Sequence, residues 1–170
     1  NAANTVLLGT TEDEIAVTTD NVLRVFELDG TPKYEWMHDG TIRDIHKDDG
    51  GWWVTTDTAT YKNGQEAGPG GMALVPHADT IWVLTRSDMV AINSDLPSIA
   101  LENPSGHAVF WRERLLYTSP DGVMESNRDG DRLIISDEIV DFGVNDAQEL
   151  VVLDGNNRLR IFVDETMYSS

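Results

Sequence analysis

Short apolar segments recur along the chain at nearly regular intervals. Five of them align without a gap from apolar anchors at Ile15, Trp52, Ile81, Leu115 and Leu150. The intervals between successive anchors are 37, 29, 34 and 35 residues. Fourteen residues precede the first anchor and twenty follow the last, which together make one further interval of 34. Because self-similarity at such a period is typical of repeat architectures, the sequence predicts five copies of one structural unit.

Further apolar stretches surround each anchor. One precedes it by six to ten residues, as residues 42–45 precede Trp52, and another follows it after a polar turn, as residues 22–26 follow Ile15. A weaker fourth stretch closes most units. The stretches are four to seven residues long, are rich in β-branched and aromatic residues, and alternate with Asp-Gly pairs suited to the positive φ of tight hairpins. No window of eleven or more residues has a capped helical period, so we expect four antiparallel strands per unit and almost no helix.

A four-stranded unit of about 34 residues, repeated in tandem, is typical of a β-propeller blade. We therefore predict an all-β fold, a five-bladed β-propeller, as one domain over residues 1–170. The predicted blades span approximately residues 1–38, 39–69, 70–104, 105–137 and 138–170. In the second blade, residues 62–71 are mostly Gly, Pro and polar, which predicts a short or absent outer strand and a flexible edge loop. A four-bladed ring with irregular ends and a β-sandwich are the alternatives.

One outer turn carries a family resemblance. Residues 25–36, with Asp29, Gly30, Lys33 and Trp36, resemble the repeat of quinoprotein-like (PQQ-type) propellers. The resemblance implies a propeller in which the blade tryptophan packs against the next blade. Only Trp36 occupies that position, since the other four units lack the tryptophan. Redox quinoproteins use more blades and a longer chain, so we expect no cofactor. The Trp-Asp and paired Gly-His signatures of WD repeats are absent.

Acidic residues dominate the charge. The 170 residues include 30 Asp plus Glu and 12 Lys plus Arg, which gives a formal net charge of −18. No basic stripe is present to bind phosphates, so nucleic acid and anionic membrane surfaces are not expected partners. Only three cations are lysines, and Asp outnumbers Glu by 19 to 11. Such chains resemble proteins of extreme halophiles, notably haloarchaea and their viruses, because molar salt screens their self-repulsion. An ordinary acidic protein from a mesophile is the alternative.

The sequence lacks the residues that several kinds of chemistry require. The chain contains no cysteine, which excludes disulfides, a thiolate nucleophile and Cys-ligated zinc. No apolar run approaches the roughly 18 residues that a membrane-spanning helix needs. No Gly-x-Ser-x-Gly elbow occurs, and the Gly-rich residues 63–71 carry no phosphate-binding lysine. We therefore expect no metal site and no enzyme of these classes.

Three histidines are candidates for a ligand site. By the repeat alignment, His46 and His77 lie just after the first strands of their blades, and His107 lies near the beginning of another. First strands line the axis of a propeller, so these side chains could form a ring at one end of a central channel. Ordinary turn or surface histidines are the alternative.

Two carboxylates occupy equivalent places in first strands. Asp44 in unit two and Asp141 in unit five align with Ala73 and Ala108 of units three and four, and Arg43 adjoins the first of them. Facing a channel, paired carboxylates could bind a cation or act as acid and base. They could equally be solvated residues of a water-filled tunnel.

The tryptophans have two interpretations. Trp52, Trp82 and Trp111 lie in or beside the inner strands, and alternation places the adjacent Trp52 and Trp53 on opposite faces. Packing between blades explains most of them. An exposed tryptophan could stack on a sugar ring, which keeps a lectin open.

These patterns favour a non-catalytic binding or scaffold module that presents its loops to a protein or glycan partner. With the acidic charge, the fold suggests an extracellular or virion-surface role in a hypersaline medium, as an attachment or structural module of a larger assembly. The alternative is a glycan-acting hydrolase or lyase that uses Asp44 and Asp141 at the channel end.

Overall fold

The computed structural model describes residues 7–163, which form five antiparallel sheets and contain no helix. Sheets 1 to 4 have four strands each, and sheet 5 has three within the described residues. The strands of sheets 1 and 2 are β1 (Leu8–Thr10), β2 (Glu14–Thr19), β3 (Val22–Glu27), β4 (Pro32–Met37), β5 (Ile42–Asp48), β6 (Gly51–Thr56), β7 (Ala59–Lys62) and β8 (Gln65–Pro69). Those of sheets 3 to 5 are β9 (Ala73–His77), β10 (Thr80–Leu84), β11 (Asp88–Ala91), β12 (Ile99–Ala100), β13 (Ala108–Trp111), β14 (Arg114–Ser119), β15 (Gly122–Glu125), β16 (Arg132–Ile135), β17 (Ile139–Val144), β18 (Leu150–Asp154) and β19 (Leu159–Phe162).

Each sheet is a meander in chain order, so neighbouring strands are also consecutive along the chain. Every predicted anchor lies in the second strand of its sheet, in β2, β6, β10, β14 and β18. The five repeated all-β units are thereby confirmed. A fourth strand of the last unit, predicted near residues 166–168, falls outside the described residues. No helix in the described part of the chain is long and apolar enough to cross a membrane.

The outer strand of sheet 2 corrects a prediction. Strand β8 is five residues long and pairs antiparallel with β7, so residues 62–71 are not a strandless flexible loop. Asn63 and Gly64, with φ of 50° and 79°, form the tight turn between the two strands. The Thr60 hydroxyl also donates to the Pro69 carbonyl at 2.6 Å. Ala67 and Pro69 are the only apolar residues of this strand, which backbone pairing forms, and for that reason the hydrophobic pattern did not reveal it.

The described residues divide into two compact units. Unit 1 comprises residues 7–83 with Val90–Leu96, and unit 2 comprises Leu84–Met89 with residues 97–163. Sheets 1 and 2 belong to unit 1, sheets 4 and 5 belong to unit 2, and sheet 3 contributes residues to both. The boundaries of a single domain over residues 1–170 stay a prediction.

Adjacent tryptophans hold unit 1 together from the two faces of β6. Trp52 and Trp53 are each 2% exposed. Trp52 packs in a core that includes Leu23 and Val25 of sheet 1, whereas Trp53 packs with Leu74 of sheet 3. Alternation along a strand produces this division, which confirms the predicted packing of tryptophans between sheets.

Trp36, in the segment of residues 25–36, packs between sheets 1 and 2. Trp36 of sheet 1 is half-buried beside the core that contains Trp52. Its ring lies so close to Gly64 of sheet 2 that a Cβ at Gly64 would be 2.5 Å from Trp36 Cδ1. The glycine therefore leaves room for the ring of the neighbouring sheet.

Unit 2 has its own core between sheets 4 and 5. Trp111, Leu116 and Val123 of sheet 4 pack with Phe142 and Val152 of sheet 5. Trp111 is fully buried, and its indole Nε1 donates to the Gln148 carbonyl at 2.8 Å. Packing of one sheet face on the next therefore stabilises both units.

A buried carboxylate links sheets 1 and 2. Glu14 is 4% exposed and accepts hydrogen bonds from Lys33 Nζ at 2.7 Å, from Lys47 Nζ at 2.8 Å and from Trp52 Nε1 at 2.8 Å. The two lysines lower the pKa of Glu14 to about 2, although burial alone would raise it. Lys62, the third lysine of the sequence, pairs with Asp48 at 3.2 Å. All three lysines thus neutralise carboxylates within unit 1.

Candidate functional site

A polar groove of about 330 Å³ opens in unit 1 where hairpins of sheets 2 and 3 end. The turn from β5 to β6 and the turn from β9 to β10 form its two sides. We call it the hairpin groove. Its lining residues are His46, Asp48, Asp49, Gly50, Pro76, Ala78, Asp79 and Ile81. Gly51 and Ala78, with φ of 131° and 50°, give these turns their tight backbone path.

Two predicted histidines lie at this groove. His46 lines it directly and lies inside strand β5, not after the first strand as predicted. His77 is the last residue of β9, again inside the strand, and lies between the lining residues Pro76 and Ala78. Burial lowers the pKa of His46, although the nearby Asp48 and Asp44 oppose that shift. His46 is therefore neutral at pH 7 and can donate one hydrogen bond and accept another.

Of the three carboxylates that line the hairpin groove, Asp48 is held by hydrogen bonds within the chain, whereas Asp49 and Asp79 are exposed. Asp48 accepts hydrogen bonds from Trp53 Nε1 at 2.7 Å, from Lys62 Nζ at 3.2 Å and from the Gly50 amide at 2.7 Å. Burial raises the pKa of Asp48, but these hydrogen bonds outweigh it and the net shift is downward. Asp49 and Asp79 are exposed at the rim. Asp48 thus shapes the groove, and the two rim carboxylates are available to a partner.

Asp44 and Asp141 are structurally equivalent, as the repeat alignment predicts. In sheet 2 the pairing shifts between Ile42 and Asp44, and in sheet 5 it shifts between Ile139 and Asp141. Each carboxylate therefore follows one β-bulge in the first strand of its sheet. A bulge changes the direction of the side chain that follows it, so both carboxylates depart from the regular strand pattern in a similar way.

Within unit 1, Asp44 holds the next sheet. Its Oδ2 accepts a hydrogen bond from the Leu74 amide of sheet 3 at 2.9 Å, and its Oδ1 accepts one from the Ile45 amide at 2.8 Å. The neighbouring Arg43 lies 3.9 Å from the exposed Asp57. The Asp44 carboxylate thus accepts hydrogen bonds from backbone amides of its own sheet and of sheet 3.

Within unit 2, Asp141 meets the third predicted histidine. His107 Nδ1 lies 3.5 Å from Asp141 Oδ1, and the two side chains are 50% and 65% exposed. The structure thus brings His107, which directly precedes β13, together with Asp141 of β17, as it brings His46 and His77 to the hairpin groove. Among residues 7–163, no group of three or more His, Cys, Asp or Glu residues is arranged to hold a metal ion. A ring of site residues around a channel stays a prediction.

An apolar surface beside Asp141 was not predicted. Residues Val151, Leu153, Leu159 and Ile161 share one face of sheet 5, here called the outer face of sheet 5, because β18 and β19 pair them directly. A groove of about 370 Å³ lies on it, and Leu159 and Ile161 are 64% and 48% exposed. The signal in the sequence is the alternation of Leu159 and Ile161 with Arg158 and Arg160 along and just before β19.

Replacement of Asp44 by alanine tests its role as an acceptor. We expect Asp44→Ala to lower the free energy of unfolding by about 1–3 kcal/mol, because the amide of Leu74 would lose its acceptor. Asp44→Asn keeps an acceptor oxygen and should lose less. Urea unfolding in molar KCl measures both variants, and an Asp44→Ala variant as stable as the wild type would contradict this role.

Comparison with known proteins identifies the fold. No family model matches the chain, and no curated protein matches it either. Similar solved structures include BamB from Moraxella catarrhalis, Hsv2 from Kluyveromyces lactis and the WD40 β-propeller domain of Doa1, at TM-scores of 0.65, 0.66 and 0.66 and identities of 14%, 13% and 12%. The alignments cover 91%, 95% and 96% of this chain, which spans only 56%, 62% and 64% of theirs. The chain therefore has a β-propeller fold.

Proposed function

We propose that this chain is a non-catalytic propeller scaffold that binds a protein partner through the hairpin groove. The observation that carries the proposal is a polar groove of about 330 Å³ at the hairpin ends, with the exposed Asp49 and Asp79 on its rim. Rigid sheets hold such turns in fixed positions, which suits recognition. A closed ring of blades, which the repeat predicts, belongs to the same proposal because closure protects the end sheets.

The chemistry of the groove favours a protein over a glycan. Neither tryptophan nor tyrosine is among its lining residues, so it offers no broad aromatic face to a sugar ring. Its rim carboxylates and neutral His46 suit the arginine, lysine and amide groups of a protein. Direct hydrogen bonds to carboxylates persist at high salt better than long-range attraction does.

Binding measurements in molar KCl test this proposal. Outer-surface proteins released from haloarchaeal cells and a glycan array serve as probes, with the full chain immobilised. We expect binding to the protein fraction, weakened about tenfold or more by the double substitution Asp49→Asn and Asp79→Asn. Asp13→Asn with Asp95→Asn is the matched control, since it removes the same charge from exposed positions outside the groove. Equal weakening by both pairs, or binding to glycans alone, would overturn the proposal.

The enzymatic alternative has its own assay. A glycan hydrolase or lyase would show turnover on a panel of polysaccharides, and Asp44→Ala or Asp141→Ala would abolish it. The contacts of Asp44 with two backbone amides favour a structural role for this carboxylate. Turnover that depends on either acid would replace the scaffold proposal.

The habitat is part of the proposal as well. A net charge of −18 with only three lysines supports a hypersaline setting and a role at a cell or virion surface. Since salt screens repulsion between exposed acids, the melting temperature should rise by many degrees from low to molar KCl. A melting temperature that does not change with salt would contradict the halophilic assignment.

A further inference from the structure

One buried histidine in unit 1 has an imidazole without a hydrogen bond. His38 is the first residue of the segment 38–41, here called the connection, which joins β4 of sheet 1 to β5 of sheet 2. It is 3% exposed, and within residues 7–163 neither Nδ1 nor Nε2 has a hydrogen-bond partner. Its ring lies against the ring of Tyr61 in β7, with the two centroids 4.5 Å apart. A buried polar ring without partners is less stable there than an apolar ring of the same shape.

The backbone of the connection, in contrast, is hydrogen-bonded to both sheets. On the side of sheet 1, the His38 amide donates to the Asn21 carbonyl at 2.9 Å, and Asn21 Nδ2 donates to the His38 carbonyl at 3.0 Å. On the side of sheet 2, the Asp39 amide donates to the Tyr61 hydroxyl at 3.3 Å, and the Thr58 hydroxyl donates to the Asp39 carbonyl at 2.8 Å. These bonds hold the unpartnered imidazole between the two sheets.

The charged groups around His38 leave a proton on its ring unpaired. Burial lowers the pKa of His38 from its ordinary value of 6.5. The titratable and charged side chains on the connection, on the turns before β3 and β7, at the start of β5 and along β7 are Asp39, Asp20, Asp57, Arg43, Asp44, Tyr61 and Lys62. None of these four carboxylates is buried, and none accepts a hydrogen bond from the ring. A proton on His38 would therefore be a buried charge without a counter-ion.

Protonation changes the surroundings that the imidazole requires. The neutral ring has one N–H donor, whereas the cation has two donors and a full charge. A buried charge without a partner is far more costly than a buried neutral ring, so the cation is stable only where water reaches it. Water reaches the ring once the connection separates from Asn21 and Tyr61, whose hydrogen bonds to the connection water can replace.

We propose that His38 is an acid-sensitive switch, in which a proton on its imidazole releases the connection from between sheets 1 and 2. In the open form the pKa of His38 returns to its ordinary value of 6.5, whereas in the closed form it stays lower. The closed form is therefore fully favoured above pH 6.5, and the ratio of closed to open chains falls by up to about tenfold for each pH unit below it. The switch acts between pH 6.5 and 4.5, above the range in which Glu14 changes stability. It does not depend on binding at the hairpin groove.

NMR on the full chain in molar KCl tests the switch. The imidazole resonances of His38 should titrate below pH 6.5. Between pH 6.5 and 4.5 the amide-exchange protection factors of His38 and Thr41 should fall by up to about a hundredfold, because opening takes up one proton. Those of Leu23 and Val54, in the core around Trp52, should not change, because the release is local.

Two replacements of His38 and one control separate proton binding from packing. His38→Phe keeps a ring against Tyr61, His38→Leu keeps a smaller apolar side chain, and in both the protection of the connection should no longer depend on pH. His46→Asn is the matched control, since burial also lowers the pKa of that histidine in unit 1, and it should retain the pH dependence. Three results would overturn the proposal: a wild-type His38 that titrates at or above pH 6.5, protection that falls equally at Leu23 and Val54, or a pH dependence that persists without His38. The first two are measured on the wild type and decide the matter even where neither replacement folds.

Discussion

Replacement of Trp111 by alanine is expected to lower the free energy of unfolding by about 3–5 kcal/mol. The indole is fully buried between sheets 4 and 5, in contact with the core of Leu116, Phe142 and Val152. Its removal leaves a cavity that a packed sheet interface cannot close. The Gln148 carbonyl would also lose the donor that now lies 2.8 Å away.

Two companion variants separate these effects. Trp111→Phe retains much of the apolar volume but loses the N–H, so its cost should fall clearly below that of Trp111→Ala. Leu133→Ala, at a side chain that is 43% exposed in the same unit, should cost less than about 1 kcal/mol. Urea unfolding in molar KCl gives all three values. Similar losses at Trp111 and Leu133 would contradict the packing of sheets 4 and 5 described above.

Replacement of Glu14 by glutamine is expected to cost about 2–3 kcal/mol at pH 7. The carboxylate is buried, and it accepts hydrogen bonds from two lysines and an indole that connect sheets 1 and 2. An amide keeps the size but presents an N–H₂ group to one lysine and removes the charge. Lys33 and Lys47 are about one-third exposed, so water can partly resolvate them, which limits the loss.

The effect of Glu14 should also depend on pH in a defined direction. The folded-state pKa is about 2, which is below the ordinary value of 4.5, so ionised Glu14 stabilises the fold above pH 4.5. That stabilisation is lost as the pH falls from 4.5 toward about 2. The difference between wild type and Glu14→Gln should therefore shrink over this range.

The matched control is Glu35→Gln. Glu35 is 62% exposed and pairs with Arg24 at 2.7 Å on the surface, where an ion pair contributes about 0–1 kcal/mol. Chemical unfolding at a series of pH values in molar KCl compares both variants with the wild type. A Glu14→Gln variant whose loss matches that of Glu35→Gln, or persists unchanged at pH 2, would contradict the role of this cluster.

The repeat made the fold predictable because a meander pairs strands that are close in sequence. The anchors from Ile15 to Leu150 lie in second strands because those strands carry buried apolar residues of each sheet, such as Ala16, Trp52 and Val152. Strand β8 escaped prediction because its pairing uses backbone groups, which leave no hydrophobic pattern. The spacing of apolar segments in the sequence thus predicts the number of units. It does not predict the polar strands at the edges of those units.

The candidate site was predictable only in part. The equivalence of Asp44 and Asp141 follows from the repeat, since the same bulge recurs at the same place. Their contacts do not follow, because Leu74 and His107 come from neighbouring sheets whose position no local pattern specifies. The outer face of sheet 5 was missed for a related reason, since alternation along β19 shows that a face is apolar but not whether another sheet covers it.

Amide hydrogen exchange on the full chain in molar KCl tests most directly whether five repeated sheets form the fold. Central strands open least often, so β2, β6, β10, β14 and β18, together with the third strands that pair with them in sheets 1 to 4, should lie in the most protected segments. Protection should therefore peak five times, with the spacing of the anchors at 37, 29, 34 and 35 residues. Protection in fewer peaks, or in long continuous segments unrelated to that spacing, would contradict the repeat on which the scaffold depends.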